Sequence, residues 1–187
     1  MKNKIILLSA IFIGLLATSC VKQQLETVYN KQEDQIDQYI TRSMVTTDES
    51  GNPDTLRVVR NGGSNRLVLK EGIGDELAKD GYVSFYYAGY TFSGSVSSSN
   101  LFTTNRLESA TEAGWSTLEA EYTLYEINLQ DAELIPGLKD GLEGVRAGEE
   151  CEILFSAKYG YGNKPLGMIP AKTALLYKIW VVVVTND

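Results

Sequence analysis

The chain has 187 residues, with 17 Lys and Arg against 24 Asp and Glu, no histidine and a net charge of −7. An acidic chain without a basic run repels phosphate backbones, which argues against nucleic acid as a partner. The missing histidine removes Ser-His-Asp and Cys-His hydrolysis, histidine general-base chemistry and most zinc sites.

Residues 1–19 read as a secretory signal. Lys2 and Lys4 precede an apolar run from Ile5 to Ala17, and small residues lead into Cys20. The stretch "LLATSC" resembles a bacterial lipobox. Cys20 is then the lipidated first residue of the mature chain, and it holds a periplasm-facing domain to a membrane of the cell envelope without spanning it. Plain secretion with an incidental cysteine is the alternative. With Cys20 carrying lipid, Cys151 has no disulfide partner. Alternation in "CEILF" turns the Cys151 thiol to the buried side of a strand, as a small hydrophobe.

Residues 20–65 form an extension. Leu25, Val28, Tyr29, Ile36, Tyr39, Ile40 and Met44 recur at rough helical spacing, which predicts one or two amphipathic turns near the anchor. "TTDESGNPD" breaks the pattern as a linker or hairpin tip. "TLRVVR" and "RLVLK" flank "NGGSN" as a strand–loop–strand. Strands follow in "YVSFYYAGY", "YTLYEINL", "CEILF" and "ALLYKIWVVVV", with a serine-rich loop in "SGSVSSSN". The segment "NRLESATEAGWSTLEAE" reads as an insertion around 103–121, either a flap with Trp115 over a pocket or surface elaboration.

A short helix is predicted over 137–146. Leu138, Leu142 and Val145 lie at i, i+4 and i+7 on one face, Pro136 stands at its start, and Gly148 falls just past its end. One small helix among many strands implies an α+β fold, a curved antiparallel sheet filled by the helix. The glycine-rich "GYGNKPLG" precedes a turn and a strand rather than a helix, so it is no phosphate cradle, and no P-loop or dinucleotide pattern occurs. No metal and no cofactor are expected.

Strand parity makes a further expectation. If Tyr177, Ile179 and Val181 face the helix, then Leu176, Trp180, Val182 and Val184 face outward. On the neighbouring strands Ser84, Tyr86, Ala88, Tyr90 and Leu154 join them. A solvated sheet face alternates to polar residues, and this one largely does not. The amphipathic N-terminal segment, through Val28, Tyr29, Ile36, Tyr39 and Ile40, or else a second subunit, is expected to pack over it and over Trp180.

Three motifs carry a family resemblance: "YYAG" at 86–89, "LIPGLKDGLEGVRAGEE", and "KYGYGNKPLGMIPAKTALLYKIWVV". In this order and spacing, residues 66–187 resemble an FKBP-type prolyl isomerase domain, a half-barrel sheet around one short helix. The resemblance implies catalytic roles for Tyr87, Ile135 and Tyr161, with the Ile135 main-chain N–H and the Tyr161 hydroxyl holding substrate carbonyl oxygens. It implies pocket walls from Phe102, Tyr125, Leu134, Ile169 and Tyr177, with Leu138 as the floor. From pattern alone each of these alternates with polar neighbours and reads as core; only the joint match to the three motifs turns the reading to a pocket. The chemistry suits a chain without histidine. An X-Pro bond is held by a barrier of about 18–20 kcal/mol, and its twisted state is less polar, so a dry apolar pocket favours it.

The family pattern is also broken in places. Leu138 stands where the family has a floor tryptophan, Thr103 where an acidic residue follows the wall phenylalanine, and Tyr125 where a second wall phenylalanine is usual. Two functions therefore remain open at this level. One is a lipid-anchored isomerase acting on proline-containing segments of exported proteins. The other is a non-catalytic FKBP-like binding module or assembly factor of the envelope that uses the same groove.

Overall fold

A computed structural model describes residues 2–47, 51, 53–117 and 122–186, with side chains described from Lys22 onward, except at Pro53. In chain order the elements are α1 (Lys2–Ser43), β1 (Val45–Thr47), β2 (Pro53–Thr55), β3 (Val58–Asn61), β4 (Ser64–Lys70), β5 (Tyr82–Phe92), β6 (Leu101–Thr104), α2 (Leu107–Glu112), β7 (Tyr125–Asn128), α3 (Pro136–Leu142), β8 (Glu150–Phe155) and β9 (Ala174–Thr185). β1 and β2 pair as a small hairpin; most of its tip lies outside the described residues.

The other seven strands make one antiparallel sheet in the order β3-β4-β8-β9-β5-β6, with β7 also on β5. The strand β3, upstream of residue 66, is its edge. The free side of β5 is shared: β7 pairs its first half, Tyr82 to Phe85, and β6 pairs Ala88 to Tyr90. Bulges at Ser84/Phe85, Gly89/Tyr90 and Val68/Lys70 interrupt the ladders, and each adds local bend and twist. The sheet therefore curves around α3, as expected of the half-barrel.

The concave face and α3 enclose the main core, with Phe85, Leu138, Leu142, Ile153, Phe155, Leu175 and Ile179 all buried. The Cys151 thiol is among them, and burial pushes its ionisation well above the ordinary range. The helix is shorter than its periodicity predicts. It ends at Leu142 because Gly144 adopts φ +78°, and Val145 is buried from the loop beyond. Gly148 belongs to the following turn, not to the helix end.

The convex face is covered by the chain itself. The predicted one or two turns are part of a single helix, α1, that runs to Ser43. Its Ile36 and Ile40 are completely buried against Ala88, Tyr90, Phe92, Leu154 and Leu176, and the Tyr39 ring meets Phe92 edge-on at 5.3 Å. Two details differ from the parity reading. The bulge at Ser84/Phe85 skips Val182, so Val182 and Val183 are exposed and Val184 turns inward to the main core. Trp180 is covered directly by the inserted segment, whose Arg106 guanidinium lies 4.0 Å above the indole. Trp115 likewise packs on the convex-face cluster, not over a pocket on the concave side.

Candidate functional site

At the N-terminal end of α3 the concave face opens into a cleft of about 590 Å³. Its wall begins with β5. Asn105, just after β6, spans the gap between β6 and β7. It accepts the Tyr87 N–H at 2.6 Å and donates to the Phe85 and Thr123 carbonyls at 3.2 and 2.9 Å. Thr104 adds a 2.6 Å hydrogen bond to the Tyr87 carbonyl. These bonds hold the stretch of β5 where Phe85 and Tyr87 point into the cleft, at the point where its strand partners change.

An aromatic lattice follows from that framework. Tyr177 is its centre: it stacks on Phe155 at 6.0 Å and 17°, meets Phe102 edge-on at 5.8 Å, and lies 6.5 Å from Tyr87. Tyr87 and Phe85 in turn reach Tyr125 at 6.0 and 5.6 Å. Such tilted and edge-on pairs are the favoured aromatic geometries. Burial, and then the hydroxyl of Tyr161 beside it, keep the Tyr177 phenol far from ionisation. Tyr161 lines the cleft beside it.

The floor and the donor come from the proline turn. Pro136 occupies the first helical position and Ile135 the cap, extended at φ −61° and ψ 143°. The Ile135 carbonyl accepts from Leu138 and Lys139 at 3.0 and 3.1 Å, while among the described residues no protein acceptor takes its N–H. Leu138 lies beneath, 6% exposed. The helix is fixed from its other end by Arg66, a buried side chain on β4. Its guanidinium donates to the carbonyls of Gly141, Glu143 and Gly144 at 2.7, 2.7 and 3.1 Å, closing the orphan acceptors of the last turn. Glu149 Oε1 lies 3.1 Å from Arg66 Nε but off the line of a hydrogen bond, so the pair is held by charge rather than by a directed bond.

The nine residues singled out from the sequence, Tyr87, Phe102, Tyr125, Leu134, Ile135, Leu138, Tyr161, Ile169 and Tyr177, all line this one cleft. Tyr125 is the most open of them, at 42% exposed. Sequence reasoning missed Phe85, Leu166 and Met168, which also line it. The last two left a visible signal: exposed apolar side chains in a glycine-proline turn, where packing does not require them. Thr103 lines the cleft without a charge, and among the described lining residues only Glu133 carries one. The arrangement can desolvate a small apolar group and orient a carbonyl. Among the described residues it offers no acid–base pair.

Residues 74–182, more than half of the chain, match the model of the FKBP-type peptidyl-prolyl cis-trans isomerase family. The chain belongs to that family. Over 117 residues it is 25% identical to FK506-binding protein 1 of Aspergillus oryzae, an alignment covering 63% of this chain and 94% of that protein. Among solved structures, its fold is similar to a peptidyl-prolyl cis-trans isomerase from Pseudomonas syringae pv. tomato, with a TM-score of 0.55 and 17% identity over 86% of this chain and 96% of that one. It is also similar to FkpA from Escherichia coli, with a TM-score of 0.52 and 16% identity over 93% of this chain and 68% of that one. In this prolyl isomerase the antiparallel sheet wraps around the short helix α3. Leu138 and Thr103 are among the side chains that line the cleft.

Proposed function

We propose that this isomerase acts on X-Pro bonds in segments of exported proteins, by holding the proline ring in the cleft between α3 and β5. The observation that carries the reading is the pairing of an apolar, aromatic-walled cleft with the unclaimed N–H of Ile135. The proline ring sits over Leu138 among Tyr87, Phe102 and Tyr177. Ile135 N–H and the Tyr161 hydroxyl take carbonyl oxygens of the peptide and fix its direction. Twisting the amide removes its conjugation and much of its charge separation, so a water-poor wall of aromatic and aliphatic carbon stabilises the twisted state relative to the planar one. No proton moves, which agrees with a lining that has no acid–base pair.

The test is the isomerisation rate of short peptides with apolar residues before proline, with and without the protein. A concentration-dependent acceleration, modestly reduced in Tyr161→Phe, is the expected result. A rate equal to that of buffer at high protein concentration would replace this reading with a binding module.

The site of action is proposed from the N-terminus. The signal-like residues 1–19 and the lipobox-like approach to Cys20 support a lipid anchor on the periplasmic side of the envelope; the Cys20 side chain lies outside the described ones. The Cys20→Ser variant is expected to leave the membrane pellet for the soluble fraction. Its retention in the membrane pellet after a salt wash would count against the lipid.

A further inference from the structure

We infer that Gln32, on α1 and on the opposite face of the sheet from the cleft, is a positioning residue for the isomerase, tying together the loops that carry Tyr161 and Ile169. The inference rests on the proposed use of Tyr161 and Ile169 in the cleft.

Gln32 is the buried polar side chain of α1 among the described residues, 9% exposed. Four and eight residues on, the same helix face carries Ile36 and Ile40, so an apolar residue would serve the packing at position 32 equally well. Both ends of the carboxamide are instead hydrogen-bonded. Its Nε2 donates to the Lys172 carbonyl at 2.6 Å, and its Oε1 accepts from the Ala157 N–H at 2.9 Å. Ala157 opens the 3₁₀ turn Ala157–Tyr159 that leads to Tyr161, and Lys172 stands three residues beyond Ile169.

Two further bonds close a ring. The Gly162 N–H donates to the Ala157 carbonyl at 2.8 Å, and the Lys172 N–H donates to the Gly162 carbonyl at 2.8 Å. Going round from Gln32 to Ala157, Gly162, Lys172 and back, every link is a hydrogen bond. Only the Gln32 link comes from outside this one connection between β8 and β9. Lys172 has φ +58°, a left-handed conformation that a side chain disfavours and that persists only where its surroundings hold it. Both of its backbone polar groups are held in this ring. Beside it, Ser156 Oγ donates to Glu33 Oε1 at 3.1 Å, a second tie from α1 to the start of the Tyr161 loop.

Loops cannot be rigid on their own at this sheet end, because β8 stops at Phe155 and β9 starts at Ala174. The ring substitutes for the missing ladder, and it makes the docked N-terminal helix part of the machinery that holds the cleft. A misplacement of even one ångström in a positioned group costs rate.

The test uses the full chain and three variants. Gln32→Met removes both loop bonds at nearly constant volume, and Gln32→Glu keeps only the acceptor for Ala157. Ile36→Ala weakens helix packing without touching the loops. We expect Gln32→Met to lower kcat/KM about five-fold and Gln32→Glu to lower it less. Amide exchange should quicken at 157–162 and 169–173 while α1 stays protected, and Ile36→Ala should lose more thermal stability and less activity. Unchanged kcat/KM in Gln32→Met, or a loss of rate that simply follows stability across the three variants, would overturn the inference. Tyr161→Phe, measured alongside, separates the two readings. If it leaves the rate intact, the assigned use of Tyr161 fails; if it slows the rate while Gln32→Met does not, only the role of Gln32 fails.

Discussion

The phenol of Tyr39, on α1, donates a 2.7 Å hydrogen bond to Glu152 Oε2, on β8, joining groups 113 residues apart in the chain. Glu152 is almost fully buried, with the Lys178 ammonium 3.7 Å away. Burial, and then the facing carboxylate, hold the phenol well above its ordinary ionisation range. The bond joins the N-terminal helix to the convex face by a polar contact beside the apolar packing of Ile36 and Ile40. Tyr39→Phe should destabilise the folded chain by about 2 kcal/mol, the usual worth of a hydrogen bond to a charged group. Urea denaturation of the variant and its parent measures this, and a difference below about 0.5 kcal/mol would remove Tyr39 from the docking account.

Gly137 and Gly141 let α3 lie directly on β8. A Cβ added at Gly137 would stand 2.3 Å from Phe155 Cγ, and one at Gly141 2.3 Å from Ile153 Cγ2. The rings and branches they would strike are themselves buried, so the helix must lift. Gly137→Ala should cost about 2–3 kcal/mol as overpacking. Because Ile135 and Leu138 flank that residue, peptide isomerisation should fall more than tenfold at temperatures where the variant is still folded. Full activity in a folded Gly137→Ala protein would mean that the height of α3 over the sheet does not set the cleft.

Ile135→Asp puts a carboxylate into the apolar lining. An unpaired charge there keeps its water, and the dry surface that favours the twisted amide is lost. Catalysed isomerisation should drop to the solvent rate while the far-ultraviolet circular dichroism stays that of the parent. Retained acceleration would place the reacting proline elsewhere than over Leu138.

Glu149 supplies a prediction in pH. Its side chain is fully buried, and burial raises its ionisation above the ordinary carboxylate range, partly offset by Arg66 and Arg57. A carboxyl raised in the folded state binds its proton more tightly there than in the unfolded chain. Its contribution to stability is therefore complete below the unfolded value and is lost as pH rises through the folded one. The advantage of the parent over Glu149→Gln should be largest below about pH 4.5 and shrink as pH rises past the folded value. Denaturation of both proteins across this range tests it; an advantage that grows with pH would show that Arg66, not burial, governs the group.

How much of this was legible in the sequence differs from element to element. The curved antiparallel sheet and its filling helix were readable, because strand alternation and the proline-led turn are local patterns; the nine residues that line one cleft came only from the resemblance of the three motifs to the family, since alternation alone reads them as core. The apolar convex face and its cover by the N-terminal segment were readable too, since parity alone sorts one side of a strand from the other. Parity fails, however, at a bulge. Nothing in "KIWVVVV" marks the skipped Val182, so the inward turn of Val184 is set by the pairing of β9 with β5. The length of α1 was likewise hidden. Its polar residues dilute the moment, and the helix is sustained by packing on the sheet, with contacts such as Gln32 to Ala157 and Lys172 that have no sequence period. Helix α3 stops early for a related reason: Leu142 and Val145 fit one helical face, but the backbone of Gly144 turns left-handed and Arg66 fastens the freed carbonyls from a strand some 75 residues upstream. Local periodicity sorted the buried from the exposed side of each strand except where a bulge breaks the alternation. Only long-range pairing, which forms after the chain has closed on itself, decided where each element ends and which loops are held rigid at the cleft.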